Sequence, residues 1–207
     1  MAGGKGNIEL CYFNSLRNYN RIKCAGMSEI TKVASFDQRV TALDNSGSLG
    51  CFTFDAKISG NCVFNMKKAG VVDFCMMKPT ILGLCTGNSI QVVDTLLHPK
   101  RQTVFKYQTS QSPLGIDYYQ DCRIAVARKT DLIVFDIRMN EQIENRDLGG
   151  KFRCMQSNHR EKLFVGRSDN KIKILDLNNG EDDEELRLGK QSQGKYEFIS
   201  ENEKTSV

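Results

Sequence analysis

An all-β fold of repeated hairpins is what the sequence predicts, and three observations carry that prediction. Short apolar runs are broken by polar turns every few residues, in a chain with only three prolines. Strands ending in an apolar residue followed by Asp recur at Phe54-Asp55, Val93-Asp94, Phe135-Asp136 and Leu175-Asp176, at intervals of 39, 42 and 40 residues. Each of these Asp residues closes a hairpin of the same design. A period near 40 with about four strands per unit is the signature of a WD-repeat β-propeller. The expected fold is all-β: a partial propeller of the WD-repeat type with about four to five blades, followed by a charged C-terminal tail.

The elements follow in order. Ile8–Phe13 falls about one period before Leu49–Phe54 and reads as the third strand of a blade whose first two partners are absent. The first hairpin spans Arg39–Phe54 with its turn at Asn45-Ser46-Gly47, and the second spans Thr80–Val93 with its turn at Gly87-Asn88. The third runs Arg123–Ile137 around Lys129-Thr130-Asp131; the fourth runs Lys162–Leu175 around Ser168-Asp169-Asn170. Neither half of the third hairpin has helical spacing, and both are rich in β-branched or aromatic residues. In Leu132–Ile137 consecutive residues are apolar, so both strand faces are expected to be buried between packed sheets. After Leu177 comes an acidic run with at most two weak strands, Leu186–Leu188 and Tyr196–Ile199. The domains are thus read as 1–177, propeller blades, and 178–207, an acidic, flexible tail. Four periods and a leading strand are fewer than the about seven blades with which such propellers mostly close. An open array completed by another polypeptide, a second copy or upstream sequence is expected.

Composition excludes several classes. The chain has 207 residues and 23.4 kDa, with 40% hydrophobic and 26% charged residues, which suits a globular protein with a real core. No apolar run approaches the roughly 18–20 residues of a membrane-spanning helix, and the start lacks the apolar stretch of a signal peptide. A cytoplasmic location without membrane insertion is expected. The net charge of +4 divides into +8 over the first 177 residues and −4 beyond them. The bases are scattered and aromatic residues do not interleave with them, so a nucleic-acid platform is not expected. The eight cysteines contain no Cys-x-x-Cys pair, and several lie in apolar strands. They read as small hydrophobes rather than zinc ligands, and neither a metal nor a cofactor is expected.

No catalytic constellation stands out. His98 and His159 lack a nearby nucleophile with an orienting acid. Gly3-Gly4-Lys5-Gly6 and Gly149-Gly150-Lys151 lack P-loop spacing. Glu181–Glu185 lacks the alternating ligands of a calcium loop. The chain is therefore expected not to be an enzyme. Binding surfaces remain, because propellers present loops on two rims. On the hairpin-turn rim the candidates are Arg128, Lys129 and Arg167. On the opposite rim Leu96, Leu97, His98, Pro99, Lys100 and Arg101 form a long post-strand loop. Its paired leucines either anchor a partner beside the cations or pack under their own blade. Asp55, Asp94, Asp136 and Asp176 are the structural Asp of each repeat. With no Trp anywhere and no Gly-His pair before the blades, the polar network of a typical blade is expected to be mostly missing, leaving blades held largely by apolar packing.

The segment Val93–Arg101 (Val-Asp-Thr-Leu-Leu-His-Pro-Lys-Arg) resembles the Trp-Asp-Thr-Leu segment, followed by proline and basic residues, of the last propeller of the DmX/rabconnectin family. Ile124–Lys129 and Leu132–Arg138 are similar to that family's turn and Phe-Asp-Leu/Ile-Arg strand. Ile172–Asp176 stands where the family has Ile-Lys-Ile-Trp. The resemblance covers about residues 27–177 and is strongest from 90 to 138. It implies a non-catalytic scaffold of the RAVE-complex kind. Such a scaffold would promote assembly of the vacuolar-type proton ATPase (V-ATPase) through protein contacts, peripheral on endomembranes and linked to Rab regulators on vesicles. The long upstream region of the family is absent, and the final blade does not match. The repeat array also admits a general WD-repeat adaptor, such as a ubiquitin-ligase substrate receptor or a trafficking or ciliary subunit.

Overall fold

A computed structural model describes residues 2–4, 6–12, 15–24, 26–53, 61–67, 69–119, 122–158, 162–176, 184–188 and 198–199. Apart from one 3-10 turn at Pro99–Arg101, every regular element among them is a strand. The chain divides into two compact units, Met1–Pro113 and Leu114–Val207.

The first unit holds three antiparallel meanders. Strands β1 (Ala2–Gly4), β2 (Asn7–Tyr12) and β3 (Ser15–Lys23) form a three-stranded sheet in that order. Next comes a four-stranded blade of β4 (Ile30–Phe36), β5 (Arg39–Asp44), β6 (Leu49–Thr53) and β7 (Asn61–Met66). A second blade follows with β8 (Val71–Met76), β9 (Ile81–Thr86), β10 (Ser89–Asp94) and β11 (Thr103–Gln108). The second unit contains β12 (Gly115–Tyr119), β13 (Arg123–Ala127), β14 (Asp131–Asp136) and β15 (Glu141–Asp147) as one blade. Its other blade is β16 (Phe152–Ser157), β17 (Lys162–Arg167), β18 (Lys171–Asp176), β19 (Glu184–Leu188) and β20 (Phe198–Ile199). The four hairpins read from the sequence are the middle pairs β5–β6, β9–β10, β13–β14 and β17–β18.

Side-chain alternation explains why these strands stack. Along β5, Val40 and Ala42 point into a cluster with Ile8, Cys24, Ile30 and Phe52. Leu43, on the other face, joins Leu49, Cys51 and Phe64 against Val71, Phe74, Leu82 and Leu84 of the next blade. In the second unit Ala125, Ala127, Leu132 and Val134 pack with Leu163, Val165 and Leu175, while their neighbours Ile124, Val126, Ile133 and Phe135 are also buried. The first three middle hairpins are covered on both faces, as the unbroken apolar run of the third predicts, whereas β17–β18 leaves one face partly open, with Phe164 exposed.

Two boundaries differ from the sequence reading. Strand β2 lies in the middle of its sheet, with Ile8 opposite Gly3 on one side and Ile22 on the other. A partner strand does precede it; glycines carry no side chain to reveal a period of two, so the sequence pattern hides β1. Past Leu177 the last blade continues, with Glu184–Leu188 paired to Lys171–Ile174. That strand lies inside the stretch read as tail and contains the weak strand expected at Leu186–Leu188; it starts two residues earlier and is paired into the blade.

Cys24, Cys51, Cys75 and Cys85 are buried thiols. Burial pushes Cys24 and Cys51 up to about 11, so they stay protonated and act as small apolar groups. No helix among the described residues is long and apolar enough to cross a membrane.

Phe135 is completely buried, so Phe135→Ala should destabilise the protein by roughly 3–5 kcal/mol through a cavity. Urea titration checks this, and a loss under about 1 kcal/mol would mean the strand is not packed on both faces.

Candidate functional site

Turns at the two ends of the strands carry the candidate surfaces. The hairpin turns come first. At the β5–β6 turn, Asp44 is buried and organises its surroundings. One carboxylate oxygen accepts from the Ser46 amide at 2.9 Å, the Ser46 hydroxyl at 2.6 Å and the Ser48 amide at 2.8 Å. The other accepts from the Ser28 amide at 2.9 Å, tying in the segment before β4. Burial pushes this carboxyl up, but the hydrogen bonds from Ser46, Ser28 and Ser48 outweigh it and bring it down to about 2. Gly47 completes the turn at φ 74°; a Cβ there would sit 3.0 Å from Gly70 Cα and the Val71 nitrogen, so no larger residue fits.

The corresponding turns use other polar groups. Thr86 and Ser89 share a hydroxyl–hydroxyl bond of 2.7 Å across the β9–β10 turn. Arg128 donates through Nε to Asp131 at 3.0 Å. Arg167 is the most enclosed, 7% exposed. It pairs with Asp169 and, at 2.5 Å, with Glu185, and donates to the Leu148 carbonyl at 3.0 Å. Its guanidinium lies over the Gly149–Gly150 turn, where a Cβ on Gly150 would come within 2.7 Å of Nε. Lys171 also reaches Glu185, at 2.7 Å, so two cations hold β19 against the sheet.

These contacts refine one expectation and revise another. To the apolar packing expected to hold the blades, serines, aspartates and arginines at the hairpin turns add local hydrogen bonds in place of the missing Trp and His chemistry. Arg167 is an internal clamp and not an exposed contact, because its charge is satisfied inside the blade. Arg128 is half-buried and engaged by Asp131. Of the three picked on this rim, only Lys129 stands exposed.

Two of the repeat Asp residues form turns. Asp94 accepts the Leu96 amide at 3.0 Å and Asp136 accepts the Arg138 amide at 2.9 Å, each two residues on. This Asx geometry ends the third strand and starts the next connection. Asp136 also accepts from the Arg138 guanidinium at 2.9 Å. That side-chain contact, outweighing the effect of burial, brings its carboxyl down to about 2. The carbonyl of Asp176 accepts from Arg146 at 3.2 Å. Asp55 and His159 lie outside the described residues.

On the opposite rim the β10–β11 connection is tightly built. The Thr95 amide and hydroxyl both donate to the Thr80 carbonyl, at 2.8 and 3.0 Å, and Arg39 donates to the Thr95 hydroxyl at 3.2 Å. His98 caps the 3-10 turn by accepting the Lys100 amide at 3.3 Å. Leu96 is 69% and Leu97 41% exposed. Both leucines therefore project from the blade instead of packing beneath it. His98, Pro99, Lys100 and Arg101 are exposed beside them. Sequence reasoning missed Arg39 and Thr95, whose roles depend on two blades meeting.

The arrangement matches a known architecture. A WD-repeat propeller in a structure described as "Crystal Structure of Mitotic Checkpoint Complex" superposes with a TM-score of 0.69 at 13% identity, over 87% of this chain and 59% of that one. The fold is that of a WD-repeat β-propeller. This chain spans 59% of that propeller chain's length. No protein-family model and no curated protein matches the sequence. Matching solved chains number 1081, so the likeness is to a widely used propeller scaffold and specifies no single activity.

Two predictions follow from the turns. Asp44→Ala strands several donors and should cost about 1–3 kcal/mol, read by urea titration. Asp44 and Asp136 have folded-state values below the ordinary about 3.9, so their ionised forms stabilise the fold above that pH. This contribution is lost as pH falls through about 2. Melting temperature should drop between pH 4 and pH 2, and less steeply in Asp136→Asn.

Proposed function

We propose that this chain is a non-catalytic WD-repeat scaffold that works by holding protein partners on its rims. One observation carries the reading: a loop fixed by hydrogen bonds from three segments holds Leu96 and Leu97 out in water beside Lys100 and Arg101. Keeping two leucines exposed on an ordered loop forgoes their burial, about 25 cal/mol per Å² of apolar surface. A preorganised apolar anchor also saves the ordering cost of binding. Lys129 supplies a second, polar contact on the other rim, and Arg128 and Arg167 serve it by stiffening the turns.

The finer reading is a scaffold of the DmX/rabconnectin type that acts on V-ATPase assembly. Its support is the similarity at Val93–Arg101 and Ile124–Arg138, the first of which includes this same loop. The mitotic checkpoint propeller belongs to a multi-protein complex, which favours the broader adaptor reading.

Affinity purification of the tagged full chain from native cells distinguishes the two. Proton-pump subunits in stoichiometric amounts are expected for the first, and a ligase, trafficking or ciliary complex for the second. Recovery of no stoichiometric protein would overturn the scaffold. Leu96→Ser with Leu97→Ser should weaken partner capture by about tenfold or more without lowering the melting temperature.

A further inference from the structure

Three connections of the first unit meet around Thr95. The β4–β5 turn arrives through Arg39, the β8–β9 turn through the Thr80 carbonyl, and the β10–β11 connection contains Thr95 itself. Each brings an exposed group of one of two kinds. Phe36 (39% exposed), Leu96 and Leu97 are apolar. Lys78, Lys100 and Arg101 are exposed cations, and no carboxylate among the described residues pairs with any of them. Arg39 adds a half-buried charge. Two acids lie in the same turns: Asp37 is exposed, and Asp94 is half-buried and accepts the Leu96 amide.

We infer that this rim docks an acidic, amphipathic protein segment, one that places apolar side chains on Phe36, Leu96 and Leu97 and carboxylates on Lys78, Lys100 and Arg101. The inference rests on the scaffold reading above and names the chemistry of its partner. Two properties select this occupant. Uncompensated cations around an apolar centre are complementary to carboxylates around an apolar centre, and such charge matching sets both association rate and specificity. The rim is also fixed before binding by the Thr95, Asp94 and His98 hydrogen bonds, so the partner bears most of the ordering cost. That suits a short segment which orders on contact.

The test uses the full chain and fluorescence anisotropy with a labelled peptide, EELLEELLEE, beside QQLLQQLLQQ and EESSEESSEE. The acidic amphipathic peptide should bind at least about tenfold more tightly than either control, and less tightly as salt rises to 1 M, where screening acts within about 3 Å. Lys100→Glu with Arg101→Glu should abolish the preference for Glu over Gln. Leu96→Ser with Leu97→Ser should abolish the preference for Leu over Ser. Unchanged melting temperatures would show that both variants remain folded. Equal binding of all three peptides, or unaltered binding by both variants, overturns the inference. So does displacement of the peptide by vesicles of phosphatidylcholine with 30% phosphatidylserine (by lipid, on the order of an anionic leaflet), which would make a lipid surface the occupant. Peptide failure alongside loss of native partners in the leucine variant would leave the scaffold standing and remove only the acidic partner.

Discussion

Burial on both faces of the first three middle hairpins is the constraint from which the rest of this structure follows. A sheet with one apolar face can rest on a single layer, but β5, β6, β13 and β14 carry apolar side chains at successive positions and expose neither face. Such a hairpin is stable only between two neighbours. Within the first unit Val40 and Ala42 use one neighbour while Leu43 and Leu49 use the other. Within the second unit Ala125 and Leu132 pack against Leu163 and Leu175. Stacking is thus a requirement of the strand sequences and not an addition to blades stable by themselves.

Close stacking then dictates how the turns are built. Where the chain leaves a buried strand its backbone amides lose their partners, and they must be satisfied within a few residues. Asp44, Asp94 and Asp136 do this by accepting amides two residues on. Arg167 does it differently, donating to the Leu148 carbonyl while its charge is balanced by Asp169 and Glu185. Lys32, paired with Asp73 at 2.6 Å and lying 5.3 Å from the Phe74 ring centre, joins the first strands of two blades. Polar groups in this protein mostly serve geometry. Lys78, Lys100 and Arg101 take no such part and stand in the same turns as exposed apolar groups, which is why the rim around Thr95 reads as a surface for recognition.

The recurring Asp, the turn residues and the continuous apolar runs all act over a few residues. The hairpins, their period and the propeller fold could therefore be read from the sequence. Less legible was β1, made of Ala and Gly, whose side chains give no period; β19 was legible only in part, as Leu186–Leu188, because it opens with two glutamates. Their strands exist because a sheet edge supplies backbone partners. The loop at Leu96–Arg101 was visible as a composition, two leucines followed by His-Pro-Lys-Arg. Whether the leucines faced the core or solvent was not.

The sequence by itself determined the four middle hairpins, their polar turns and the recurring Asp, because turn chemistry and apolar patterning within about ten residues decide them. Tertiary structure alone decided which charges are spent and which are free. Arg167 and Arg101 look equivalent in the sequence. One meets Glu185 of β19 and Leu148 of the connection after β15, and becomes an internal clamp. The other meets no carboxylate among the described residues and stays at the surface. The same holds for Leu96 against Leu43: the sequence marks both as apolar, and only the packing of neighbouring blades leaves one in water.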